Sequence, residues 1–219
     1  MSHSLAEVWG VIPCSGRSAR MGTPKAMLNA GGRTFIERVV HAHRAGGCGH
    51  VLVVLPTLDG PISAKAVEAG AQVVLNPSPE EGPIGSLRAS LRILDDRVEG
   101  VSFCPVDHPL IHEDTVRTLI DVFQQGQAPV VVPTFNGKRG HPVLFRRVLF
   151  DELLDDTLAE GARTVVHRYL DDIASVPVDD EGTVIDVNDM TTYHLHYPDE
   201  HRVQLRRARD HMVTRLQDL

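Results

Sequence analysis

The chain has no run approaching the roughly 18 consecutive apolar residues of a membrane span. Its opening, Met1-Ser2-His3-Ser4-Leu5-Ala6-Glu7, lacks the charged start and apolar middle of a secretory leader. The expectation is a cytoplasmic protein with no membrane partner. Cysteine is scarce: Cys14, Cys48 and Cys104 are odd in number, far apart and without Cys-x-x-Cys spacing, which excludes a disulfide framework and a structural zinc site. Cys14 and Cys104 end apolar runs, where a small buried hydrophobe is the ordinary role. Runs of five or six like charges are also missing, and 22 basic against 29 acidic residues give a balance of −7. That excludes the broad cationic face demanded by nucleic acid or an anionic membrane, and leaves room for a local cationic pocket. There is no Gly-Lys-Ser/Thr phosphate loop, no Gly-x-Gly-x-x-Gly opening a helix, and no nucleophile elbow. Kinase, GTPase, dehydrogenase and triad-hydrolase chemistry are therefore disfavoured.

What is present is alternation. Valine-rich, nearly all-apolar runs at Val8–Ile12, Val51–Leu55, Ala71–Leu75, Gly100–Cys104 and Pro129–Val132 predict strands buried on both faces of a parallel sheet. Between them, Phe35-Ile36 with Val39-Val40 and Ala42, then Ile62–Ala69, Ile84–Leu94 and Thr115–Phe123 carry helical periodicity. Strand alternating with helix predicts a single-domain, doubly wound, three-layer α/β/α fold of Rossmann-like type, with a mostly parallel sheet. In such folds ligands bind outside the carboxyl ends of the strands. From Phe145 the pattern predicts short helices, then strands at Ile173–Val178 and Thr183–Ile185. The domain is expected over 1–197. An amphipathic helix over 198–219 would pack on it or extend it, as a solvated tail or as an oligomer contact.

The first strand empties into Pro13-Cys14-Ser15-Gly16-Arg17-Ser18-Ala19-Arg20-Met21-Gly22-Thr23-Pro24-Lys25. Small residues bring backbone N–H groups close to an anion, and two arginines and a lysine add cationic side chains, so the loop suits a polyphosphate. The alternative is a glycine-rich surface turn. Gly16-Arg17-Ser18-Ala19-Arg20-Met21-Gly22 followed by Lys25 resembles the signature of the MobA-like NTP transferases, the molybdenum-cofactor cytidylyl- and guanylyltransferases, usually Leu-Ala-Ala-Gly-x-Ser-x-Arg-Met-Gly-x-x-Lys. Pro13, Cys14 and Ser15 stand where the family has Leu-Ala-Ala, and Pro13 has no N–H to donate. The resemblance implies a nucleotidyltransferase core of GT-A-like fold, nucleotide contacts from Cys14, Ser15, Gly16, Arg17, Ser18 and Gly22, and a triphosphate held by Arg20 and Lys25.

Cys104-Pro105-Val106-Asp107-His108-Pro109 places a carboxylate three residues beyond a buried strand, in a turn stiffened by prolines. Asp107 can hold Mg²⁺ there, or cap the turn into His112-Glu113-Asp114. The family carries a Gly/Cys-Asp-x-Pro segment at this place, which implies the metal role. Thr183-Val184-Ile185-Asp186-Val187-Asn188-Asp189 resembles the family's late Asp-Val/Ile-Asp/Asn-Thr segment. Asp186 and Asn188 would share one side of an extended stretch and reach the metal, unless the segment is a turn leading to a helix cap. Asp189-Met190 replace the usual Thr-Pro, leaving Asp186, Asn188 and Asp189 open as ligands.

Gly82-Pro83-Ile84-Gly85-Ser86-Leu87 opens a helix whose amides and Ser86 hydroxyl suit a base or ribose, or form a plain cap. It mixes the family's guanylyl and cytidylyl versions at Gly82, Gly85 and Ser86. Gly137-Lys138-Arg139-Gly140-His141-Pro142-Val143-Leu144-Phe145 resembles the family's acceptor-side stretch. Lys138, Arg139, Gly140 and His141 become acceptor contacts, or the tip of an exposed hairpin. His108 with His112, and His194 with His196, invite a zinc reading, against which Pro109 removes the helical face. The expected reaction moves an NMP unit from CTP, or GTP, with Mg²⁺ onto a phosphorylated acceptor such as molybdopterin, releasing pyrophosphate. A phosphate acceptor is already anionic, so no protein base or nucleophile is required. The rivals are a sugar-phosphate or phospho-alcohol nucleotidyltransferase, and a non-catalytic chaperone that passes a pterin nucleotide to an acceptor apoenzyme.

Overall fold

A computed structural model describes residues 6–14 and 24–200. Its strands are β1 (Glu7–Pro13), β2 (Val51–Leu55), β3 (Gln72–Leu75), β4 (Val98–Phe103), β5 (Val130–Phe135), β6 (Lys138–Arg139), β7 (Val143–Arg146) and β8 (Ala174–Pro177). They form one eight-stranded sheet in the order β3-β2-β1-β4-β7-β5-β6, with β8 paired to β5. The β1–β2, β1–β4, β2–β3 and β5–β8 pairs are parallel, and β7 runs antiparallel between β4 and β5.

Alternate residues feed two cores, because successive strand side chains point to opposite faces. Val8, Ile12, Val51, Val53 and Leu55 face one layer, while Val11, Leu52, Val54, Val101 and Phe103 face the other. The helices are α1 (Phe35–Ala45), α2 (Pro61–Glu68), α3 (Pro83–Leu91), α4 (Glu113–Gln125), α5 (Phe150–Leu154), α6 (Ala162–Arg168) and α7 (Met190–His196). The first layer takes Ile36 and Val39 of α1, Ala66 of α2, Val116 and Leu119 of α4 and Tyr193 of α7. The second takes Leu87 of α3, Leu153 of α5 and Val165 of α6. This is the expected three-layer α/β/α arrangement with a mostly parallel sheet.

Two local expectations are corrected. Val143–Arg146 is a strand rather than the start of a helical region, since its central Leu144 and Phe145 are buried on opposite faces between β4 and β5. Thr183–Ile185 is not a strand: Glu181–Val184 forms a 3-10 turn, wound by the Asp180 carboxylate, which accepts from Gly182 N at 3.0 Å. Of the charged segment from Pro198, residues 201–219 lie outside the described residues.

α1 starts on a capping box, Thr34 with Glu37. Gly10 lets the helix lie against β1, where a Cβ would meet the His43 ring at 3.1 Å. His43 is fully buried, its Nδ1 lies 2.9 Å from Val39 O, and its Nε2 has no partner among the described residues. Burial lowers its pKa from 6.5 to about 4. In that window the unfolded chain binds the extra proton, so the stability is intact above pH 6.5 and drains as the pH falls to about 4. A loss of about 3 kcal/mol follows from a shift of this size. Denaturant unfolding at pH 7 and pH 4.5 should show the loss in the natural protein and a clearly shallower one in His43→Leu. An equal slope in both would remove His43 as its source.

Candidate active site

β1 and β4 are parallel neighbours, so both run out at the same end of the sheet. Beyond them the ladder continues on each: Cys14 N donates to Val54 O at 2.9 Å, and Cys104 N to Val11 O at 3.0 Å. On the β4 side the ladder runs on past Pro105, with Val106 N donating to Pro13 O at 3.4 Å, which fixes the turn that presents Asp107. Lys25 opens a short 3-10 turn, Lys25–Met27. Its Nζ lies 3.2 Å from Asp107 Oδ2 and also donates to Asn188 Oδ1; Asn188 Nδ2 donates in turn to Asp186 Oδ2.

The late segment is held in place by its backbone, with Val187 N donating to Asp107 O at 2.8 Å. Val187 is fully buried and points away, so Asp186 and Asn188 share the opposite side, as alternation predicts. Asp189 belongs to a different structure. It caps α7, its Oδ1 accepting from Thr192 N at 2.8 Å. Four side chains separated by up to 163 residues thus form one cluster, with Lys25, Asp107 and Asn188 half-buried and Asp186 exposed. Burial first, and the Asp107 charge second, push the Cys14 and Cys104 thiols far up, so both are inert at neutral pH.

Lys25 and Asp107 border a cleft of about 770 Å³, together with Pro13, Cys14, Glu80 and Gly82. Gly82 has φ +69 and ψ −143, a conformation open essentially to glycine alone, and it joins the turn at Pro79–Glu81 to α3. Ser86 is a correction. It is fully buried, and its Oγ accepts from Asn76 Nδ2 at 3.1 Å, so it braces the Asn76 loop rather than facing the cleft. At Gly85 a Cβ would meet Ser78 O at 2.6 Å, so the glycine allows close packing of α3 on the same loop.

A second cavity of about 1060 Å³ adjoins the first at Pro83. Phe103 and Phe145 contribute to its apolar lining, and Arg139, His141 and Arg163 are among its polar lining residues. The acceptor-side residues divide accordingly. Asn136 and Gly137, with φ 49 and 76, make a two-residue hairpin turn between β5 and β6. Lys138 sits exposed beside that turn and does not line the cavity. Gly140 is packed inward, where a Cβ would lie 2.3 Å from Thr183 O. His141 stacks 4.6 Å from His108, and burial lowers its pKa to about 4, so it is neutral at pH 7.

Of the residues expected from the glycine-rich loop, Ser15, Gly16, Arg17, Ser18, Arg20 and Gly22 lie outside the described residues. Sequence reasoning missed Arg88, which lines the second cavity. The signal was available: Ile84, Leu87, Arg88 and Leu91 follow the i, i+3, i+4, i+7 spacing of an apolar face, with a charge at one of its places.

Comparison with known proteins bears on the family and the fold. The family model for the MobA-like NTP transferase domain matches residues 10–173. A 2-C-methyl-D-erythritol 4-phosphate cytidylyltransferase of Streptomyces coelicolor is 32% identical over 139 residues, 60% of this chain, and the chain spans 51% of that protein's length. A probable molybdenum cofactor guanylyltransferase of Mycobacterium avium is 27% identical over 174 residues, 75% of this chain and 81% of that one. Among solved structures, Rv0371c of Mycobacterium tuberculosis superposes with a TM-score of 0.73 at 28% identity, over 89% of this chain and 100% of that one. No helix among the described residues is long and apolar enough to cross a membrane.

Proposed function

The chain belongs to the MobA-like NTP transferase domain family, and on that premise we propose that it transfers an NMP unit from CTP, or GTP, to a phosphorylated small-molecule acceptor and releases pyrophosphate. The observation that carries this reading is the Lys25–Asp107–Asn188–Asp186 cluster at the carboxyl ends of β1 and β4, whose Lys25 and Asp107 border a cleft that adjoins a second cavity at Pro83. Lys25 supplies a fixed ammonium for the triphosphate, together with Arg20 from the preceding loop. The second cavity offers Arg139 and Arg163 to an acceptor phosphate. An acceptor phosphate oxygen forms the new bond to the α-phosphorus as the bond to pyrophosphate breaks. The displacement asks the protein only to position the two phosphates and balance their charge.

The donor set fits Mg²⁺. Two carboxylates and an amide oxygen are hard oxygen ligands, and among the described residues no three His, Cys, Asp or Glu side chains converge to form a closed metal cage. Asp107, Asp186 and Asn188 would hold the ion, which supplies charge neutralisation at the triphosphate when bound. The test is pyrophosphate release with Mg²⁺ and each of CTP, GTP, UTP and ATP, against molybdopterin, 2-C-methyl-D-erythritol 4-phosphate and simple sugar phosphates. Release with one pair is the expected result. Silence throughout, with a nucleotide still raising the melting temperature, would replace transfer by binding alone.

A further inference from the structure

The structure assigns Asp180 as a positioning residue that locks the metal-side and acceptor-side segments of the site to one turn; this rests on the nucleotidyl-transfer reading and deepens it. Asp180 is only 6% exposed, and its carboxylate accepts three hydrogen bonds. Oδ2 takes His112 N at 2.9 Å and Thr115 Oγ1 at 2.7 Å, both from the start of α4, and Oδ1 takes Gly182 N at 3.0 Å. A further bond, Thr183 Oγ1 to Asp180 O at 2.8 Å, closes the turn on itself. The carboxylate therefore ties the 3-10 turn Glu181–Val184 to the helix that follows the Asp107 loop.

Two segments hang on that turn. On one side the chain runs directly into Asp186, Val187 and Asn188, and Val187 N donates to Asp107 O. On the other side His141 N donates to Thr183 O at 2.8 Å, which fixes the segment that follows β6; Arg139 and His141 both line the second cavity. The turn is also packed at glycine-width distances on its two sides. A Cβ on Gly140 would lie 2.3 Å from Thr183 O, and one on Gly182 would lie 2.5 Å from the Leu110 carbonyl. The turn is thus wedged between the Asp107 loop and the acceptor hairpin, and it can shift only by moving both. Asp180 touches no substrate position itself; it acts through the turn.

Asp180→Asn keeps the shape but turns one acceptor oxygen into an N–H donor, so at least one of the three donors facing it loses its partner. Hydrogen–deuterium exchange reads the consequence without any turnover. The amides of His141 and Val187 should both exchange at least about tenfold faster, while those of Val51–Leu55 keep their protection. Alongside, Mn²⁺ titrated with CTP or GTP should bind at least about tenfold more weakly than to the natural protein. Thr115→Val, which removes one of the three donors and no charge, should show the same pattern more weakly and stands in if Asp180→Asn fails to fold. Unchanged protection at either amide, an even rise across the whole sheet, or unchanged Mn²⁺ binding with both amides loosened would each overturn the assignment. If the natural protein itself holds no Mn²⁺ with either nucleotide, the transfer reading fails, and the exchange data alone decide whether Asp180 locks the turn.

Discussion

Asp107→Asn should release pyrophosphate about 10²–10³-fold more slowly than the natural protein, the loss typical of removing one preorganised electrostatic group, about 2.7–4 kcal/mol. The exchange is nearly isosteric and leaves the local backbone alone, since the bond from Val187 N is to the main-chain oxygen of Asp107. Melting temperature should therefore move little, and the defect should appear in kcat. Lys25→Ala should cost a similar factor for a different reason. It removes the ammonium that contacts Asp107 and Asn188 and leaves the Asp107 and Asp186 carboxylates without that counter-charge. Because Lys25 and Asp107 touch, at 3.2 Å, the double variant should lose clearly less than the product of the two single losses. Steady-state kinetics on the three variants check this. A kcat within threefold of the natural protein for Asp107→Asn would take the carboxylate out of the reaction.

The site was legible in the sequence where one short segment carries both its placement and its chemistry. Asp107 follows the apolar run Gly100–Cys104 by three residues, so its position at a carboxyl end needs only strand periodicity and the direction of a parallel sheet. Asp186 and Asn188 were legible as a pair on one side, because alternation holds for any extended stretch. Their partner was not, since the bond from Lys25 to Asn188 spans 163 residues and no local pattern encodes it. Asp189 was separable from its neighbours only once α7 was seen to begin at Met190, when its oxygen became a cap. β7 escaped for a related reason: a three-residue apolar run between a proline and two arginines is too short for periodicity to distinguish strand from helix. The turn at Glu181–Val184 escaped because its winding comes from a carboxylate whose other two partners lie in α4. Ser86 was read as facing a ligand because it opens a helix, whereas burial turned it toward the Asn76 loop.

Arg88 predicts the largest change in stability. It is 4% exposed on the apolar face of α3, and its guanidinium bridges two walls of the site. Nε donates to Leu153 O at 3.3 Å and Nη2 to Asp155 O, at the end of α5, while Nη1 pairs with Glu81 in the turn that edges the first cleft. A planar fork with fixed donor directions can serve two carbonyls and a carboxylate at once, which a lysine ammonium on a flexible stem does not reproduce. Arg88→Met fills the space and leaves all three acceptors without this donor. Each carbonyl left without its donor costs about 1–3 kcal/mol, which together is on the order of 10 °C in melting temperature for a domain of this size. Arg88→Lys should keep the charge near Glu81 and still lose much of that stability, because the bonds to the carbonyls require the fork. The loss should also reach the nucleotide, since Glu81 adjoins Glu80 and Gly82 on the cleft wall, so KM for the nucleotide should rise in both variants. Thermal melts and nucleotide KM measured together check the argument. Melting within 2 °C of the natural protein in Arg88→Met would mean that the two walls are held by their apolar contacts alone, with Leu87 on one side and Leu153 on the other.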